Sequence, residues 1–73
     1  MTGRPRKHSL TLRGHRTSVS LEDAFWTELQ RLAEAQGKSV NELVAEIDGG
    51  RGVTSGLAAA IRVHVLEAVK AGR

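Results

Sequence analysis

The chain has 73 residues, no cysteine and a formal net charge of +3 at pH 7. A domain of that length buries a modest share of its surface, and without cysteine neither a disulfide nor a thiolate metal site can staple it, so association with a second copy is the expected remedy. One Phe, one Trp and no Tyr argue against base stacking of the single-strand or RNA-binding kind. No apolar run approaches the ~18 residues of a membrane span. The basic N-terminus lacks the apolar core of a secretory signal, so a cytoplasmic protein with no membrane contact is expected.

Residues 1–7 place Gly3 and Pro5 among Arg4, Arg6 and Lys7 and are expected to form a flexible basic arm. Residues 8–13 alternate, with Leu10 and Leu12 on one side and Ser9, Thr11 and Arg13 on the other, the period of a half-buried strand. Gly14-His15 suits a tight turn, because glycine supplies positive φ. Residues 16–21 alternate again, with Thr17, Val19 and Leu21 on one face and Arg16, Ser18 and Ser20 on the other. This strand runs into a helix with no Gly or Pro between and is expected to pair with its copy in a second subunit.

The first helix is predicted over about 22–36, capped by Ser20 or Asp23. Its apolar stripe is Phe25, Trp26, Leu29, Leu32 and Ala33, and it closes at Gly37. Ser39 followed three residues later by Glu42 is a capping box that opens a second helix over about 40–47, with Val40, Leu43, Val44 and Ile47 apolar. Residues 48–56 hold four glycines without the spacing of a phosphate-binding loop and read as a flexible connection. The third helix, about 57–71, is apolar over much of its circumference, which calls for a cover by a partner or by the dimer mate.

Charge is unevenly spread. Residues 1–16 carry Arg4, Arg6, Lys7, Arg13 and Arg16 and no acid, whereas residues 17–50 carry mostly acids. A basic arm ahead of an acidic body is a footprint of nucleic-acid contact, the alternative being a solvated, disordered N-terminus. The polar face Arg16, Ser18, Ser20 suits the major groove, which admits a two-stranded ribbon; by alternation alone it also describes the wet side of a sheet. Ser39 adds a second signal, because a helix start offers unpaired N–H groups to a phosphate, with Lys38 one residue before it. His8 and His15 are expected to face solvent or phosphate, and His64 to pack. Their spacing fits no metal motif, no catalytic constellation is legible, and no cofactor or metal is expected.

The order of alternating strand, helix, Gly-Lys-Ser-Val-Asn-Glu connection and second helix resembles the ribbon-helix-helix DNA-binding superfamily of the Arc, MetJ and CopG type. Residues 35–42 are especially similar to its helix–helix junction, and the likeness covers about residues 16–47. Lys7-His8-Ser9-Leu10, Gly14-His15-Arg16-Thr17-Ser18, Ala24-Phe25-Trp26 and Ile61-Arg62-Val63-His64-Val65-Leu66 resemble a bacterial subfamily with an extra N-terminal strand and C-terminal helix.

The resemblance implies a mainly α fold with a short β-ribbon. It further implies an obligate two-fold homodimer that inserts the antiparallel ribbon into the major groove of double-stranded DNA. Arg16, Ser18 and Ser20 would read bases. Ser39, Val40 and Asn41, with Lys38, Arg4, Arg6, Lys7 and Arg13, would hold phosphates. Thr17, Val19, Leu21, Phe25, Leu29, Leu32, Val40, Leu43, Val44 and Ile47 would form the shared core. The expected function is a nucleoid-associated, non-enzymatic transcriptional repressor. The alternative is an antitoxin-like or regulator-binding module that docks a protein on the third helix, with weak or no DNA binding. The extra strand would either hairpin onto the ribbon, giving the dimer a four-stranded sheet that fits a groove poorly, or lie alongside DNA, or cover the ribbon until DNA displaces it.

Overall fold

The computed structural model describes residues 3–50 and 56–72. Strands β1 (Arg6–Leu12) and β2 (His15–Leu21) form an antiparallel hairpin, followed by helices α1 (Asp23–Ala35), α2 (Val40–Gly50) and α3 (Leu57–Lys70). β2 therefore pairs with β1 of its own chain, in the register Leu12↔His15, Leu10↔Thr17, His8↔Val19 and Arg6↔Leu21. The turn is Arg13-Gly14, not Gly14-His15. Both residues have positive φ, 52° and 84°, the pattern of a two-residue I′ turn whose twist matches that of the strands. β1 takes in Arg6 and Lys7, which composition placed in an arm, because their partners Leu21 and Ser20 extend the ladder to the end of β2.

Each strand puts alternate residues inward. Leu10, Leu12, Val19 and Leu21 are buried against Leu29, Leu32 and Ala33 of α1, Leu43, Val44 and Ile47 of α2, and Ile61, Val65 and Ala68 of α3. Among the described residues no polar residue is buried as a whole, although the His8 Nε2 atom is enclosed without a hydrogen-bond partner. The residues assigned by resemblance to a shared core are thus largely enclosed within one chain, with Phe25 and Val40 half-buried. Thr17 is exposed: it shares the inner face, but sits toward the turn in an open cleft with Leu12, Ala45, Asp48 and Leu57. His8 does not face solvent freely. It lies on the inner face and stacks on Trp26, ring centroids 3.8 Å apart and planes 6° from parallel.

The helix ends follow local chemistry. At the C-terminus of α1, Gly37 has φ +69°; its N–H bonds the Glu34 carbonyl and the Lys38 N–H bonds the Ala33 carbonyl, a Schellman motif. The N-cap of α1 is Glu22, with no side-chain cap bond, since its carboxylate goes to Arg62. α2 continues through Asp48, Gly49 and Gly50, which the glycine content assigned to a loop. The Arg13 guanidinium lies across Gly49, 3.0 Å from where a Cβ would be, a close approach that glycine permits. The remainder of the glycine-rich connection, residues 51–55, falls outside the described residues.

α3 supplies part of the core and also leaves an outward stripe. Ile61 is fully buried, whereas Val63, Leu66 and Val69 are 55%, 55% and 48% exposed. Ile61→Ala is expected to destabilise the fold by about 2–5 kcal/mol, as for a large-to-small change at a fully enclosed site. Denaturant unfolding measures it; a loss under about 0.5 kcal/mol would show that α3 is not part of the cooperative unit.

Candidate nucleic-acid interface

The register that buries four aliphatic side chains sets six polar ones on the opposite face of the hairpin, in three cross-strand pairs: Lys7 with Ser20, Ser9 with Ser18, and Thr11 with Arg16. All six are exposed. Among the described residues none of these side chains has a hydrogen bond or ion pair, and no acid joins them on this face. Arg16, Ser18 and Ser20 are thus brought together as the sequence implied. Lys7, Ser9 and Thr11 complete the surface: Ser9 and Thr11 were marked by the alternation of residues 8–13, whereas Lys7, expected in the arm, joins them only because β1 begins at Arg6.

Each edge of the hairpin carries one helix contact. In an antiparallel ladder every second residue turns its backbone N–H and C=O away from the partner strand. Thr11 N–H donates to Asn41 Oδ1 at 3.3 Å, which identifies Lys7, Ser9 and Thr11 as the outward set of β1 and brings the start of α2 to that edge. On β2 the outward set is Arg16, Ser18 and Ser20, and Arg62 Nη2 reaches the Ser20 carbonyl at 3.4 Å. Among the described residues no hydrogen bond reaches the edge groups of Arg16 and Ser18, so this stretch of β2 is open to another strand.

Arg62 anchors α3 here. It donates from Nε to Glu22 Oε1 at 2.9 Å and forms an ion pair with the same oxygen through Nη2, also at 2.9 Å, and lies 5.9 Å from the Phe25 ring centroid, within cation–π range. The Arg62 hydrogen bond holds the Glu22 carboxyl below its ordinary pKa, aided by the Glu22 backbone N–H and by the charge of Arg62.

The start of α2 is the second part of the candidate surface. Ser39 N–H donates to Glu42 Oε1 at 2.8 Å and Glu42 N–H donates to Ser39 Oγ at 3.1 Å. The capping box is therefore formed, and it consumes two donors. The Val40 and Asn41 amides remain for an anion, with the Glu42 carboxylate close by. That carboxyl is held below its ordinary pKa by the Ser39 backbone N–H and then by the Ser39 hydroxyl.

The expected phosphate-binding side chains are distributed unequally. Lys38 pairs with Glu46 at 2.5 Å, Arg6 with Asp23 at 3.6 Å, and Arg13 donates to the Ala45 carbonyl at 3.4 Å. These exposed contacts are worth little in water. Among the described residues Arg4 and Lys7 make no such contact. His64 is half-buried in a cleft lined by Ile47, Ala60, Val63 and Glu67, consistent with packing.

A family model described as ribbon-helix-helix domain matches residues 5–69. No curated protein and no solved structure matches the chain.

Ser39→Ala should cost about 1 kcal/mol by loss of the cap, read as a lower denaturant midpoint. Glu22 and Glu42 have folded pKa values lowered from the ordinary one. Their contribution is complete above the unfolded glutamate value and is lost as pH falls through the lowered folded values. Stability of the wild type should therefore drop on acidification below about pH 4.3 more steeply than that of the double variant Glu22→Gln/Glu42→Gln. Parallel pH profiles for the two would contradict the assignment.

Proposed function

Since the chain belongs to the ribbon-helix-helix domain family, we propose that it is a sequence-specific DNA-binding protein acting as a homodimeric transcriptional repressor. The family is generally one of DNA-binding transcription regulators or antitoxins, typically non-enzymatic, and its domains generally bind DNA and form dimers. The observation that carries the reading is the outward face of the hairpin: six unengaged polar side chains, two of them basic, with no acid among them, beside an open edge of β2.

In this reading β2 pairs antiparallel with β2 of a second copy through the free edge groups of Arg16 and Ser18. The joined strands enter the major groove. Arg16 offers the bidentate fork that matches guanine O6 and N7, and the Ser18 and Ser20 hydroxyls donate or accept as the base edge requires. The Val40 and Asn41 amides take a backbone phosphate. Arg4, Arg6, Lys7, Arg13 and Lys38 supply sequence-independent attraction with strong salt dependence; Arg6, Arg13 and Lys38 exchange weak surface contacts for phosphate. Repression follows from occupation of the operator.

A second reading rests on a separate observation. The exposed Leu66 and Val69 join Ala24, Phe25 and Val65 around an almost wholly apolar groove between α1 and α3, a surface that suits a protein partner. Among the described residues no helix is long and apolar enough to cross a membrane.

Arg16→Ala should cost about 1–3 kcal/mol and relax preference at one base position, measured against duplexes recovered by random-site selection. A folded dimer that binds no duplex at low salt would defeat the DNA reading. The triple variant Val63→Ser/Leu66→Ser/Val69→Ser separates the two roles of α3. DNA affinity unchanged from wild type assigns the stripe to a protein partner; weaker binding together with dissociation to monomers assigns it to the dimer.

A further inference from the structure

We propose that β1 is a phosphate-contacting strand, whose Lys7, Ser9 and Thr11 side chains grip the DNA backbone at the groove wall while β2 reads the bases. The inference rests on the DNA-binding reading above and extends it to residues outside the ribbon strand.

The argument starts from the two edges. Each outer edge carries one helix contact, Asn41 at Thr11 of β1 and Arg62 at Ser20 of β2, and on the DNA-binding reading above the second copy adds through Arg16 and Ser18 of β2. The sheet of the dimer then runs β1-β2-β2-β1. Neighbouring strands lie about 4.8 Å apart. The two β2 strands then sit about 2.4 Å either side of the two-fold axis, and each β1 about 7 Å from it. The major groove is about 12 Å wide, so its walls stand about 6 Å from its midline. With the strands running along the groove, β2 falls over the base edges and β1 over the wall.

The residues on β1 suit that position. Lys7, Ser9 and Thr11 point to the same face as Ser20, Ser18 and Arg16, are exposed, and have no side-chain partner among the described residues. Two hydroxyls and an ammonium are donors of the kind that phosphate oxygens accept. The next element outward is also fixed: the Thr11–Asn41 bond sets the start of α2, with its free Val40 and Asn41 amides, just beyond β1. From the axis outward the order is base readers, β1 donors, helix amides. An added strand that first reads as an obstacle to groove insertion becomes part of the grip on the backbone.

The experiment compares Ser9→Ala/Thr11→Val, Lys7→Gln and Arg16→Ala with the wild-type dimer. The probes are a duplex recovered by random-site selection and its single-base variants, titrated by fluorescence anisotropy over a range of salt. Ser9→Ala/Thr11→Val should weaken binding several-fold by the same factor on every duplex. Lys7→Gln should reduce the slope of log affinity against log salt by about 0.9 per lost phosphate contact, hence about 2 per dimer. Only Arg16→Ala should alter base preference. Thr11→Val keeps the β-branch and the Thr11 N–H; if the double variant melts early, Ser9→Ala and Lys7→Gln carry the comparison.

Wild-type affinity and salt slope in the β1 variants would overturn the proposal, as would a change of base preference in any of them. A wild-type protein that binds no duplex at low salt would overturn the DNA reading itself, and this inference with it.

Discussion

The register of one hairpin decides most of what this molecule presents to its surroundings. Because side chains alternate with a period of two, a slip of one residue would exchange the two faces of a strand. The Arg13-Gly14 turn prevents that slip by closing the ladder at Leu12 and His15. With that pairing set, Leu10, Leu12, Val19 and Leu21 all fall inward, and the basic and hydroxyl side chains all fall outward. Core and candidate interface are two sides of the same constraint. The positive φ of Arg13 is unfavourable for a residue with a Cβ; its guanidinium reaches across Gly49 to the Ala45 carbonyl.

Each strand edge then meets one helix contact. Asn41 reaches Thr11 of β1 near the turn and Arg62 reaches Ser20 of β2 at its far end, leaving the middle of both outer edges unpaired among the described residues. An exposed strand edge is a liability unless something covers it. In a family whose members generally form dimers, a second copy is the natural cover. Arg62 also connects α3 to this edge, since the guanidinium that reaches Ser20 is bound to Glu22 at the entry to α1. A protein docked on the apolar stripe of α3 would therefore sit on the helix that supports the end of the proposed ribbon.

Electrostatics reinforces the separation. The acids near the hairpin are already engaged: Glu22 by Arg62, Asp23 by Arg6, Glu42 by the Ser39 N–H and Glu46 by Lys38. Among the described residues, Lys7 and Arg16 on the outward face of the hairpin form no ion pair. A modest net charge of +3 thus understates the positive potential that the hairpin offers to a polyanion.

The sequence by itself determined the elements and their faces. Alternation marked both strands, the 3.6-residue stripe marked α1, and Ser39 with Glu42 marked the start of α2, because each signal depends on residues close in the chain. It also carried the family resemblance and the expected base readers Arg16, Ser18 and Ser20. Only the tertiary structure decided what depends on residues distant in sequence. It showed that β1 hairpins onto β2, which brings Lys7, Ser9 and Thr11 onto the same face. It stacked His8 on Trp26, extended α2 over Gly49 under Arg13, and placed Ile61, Val65 and Ala68 of α3 in the core. It also engaged Arg6, Arg13 and Lys38 with protein groups. Local patterns fix which way a side chain points along its own element; what that side chain meets depends on the register and packing of other elements, which no local pattern encodes.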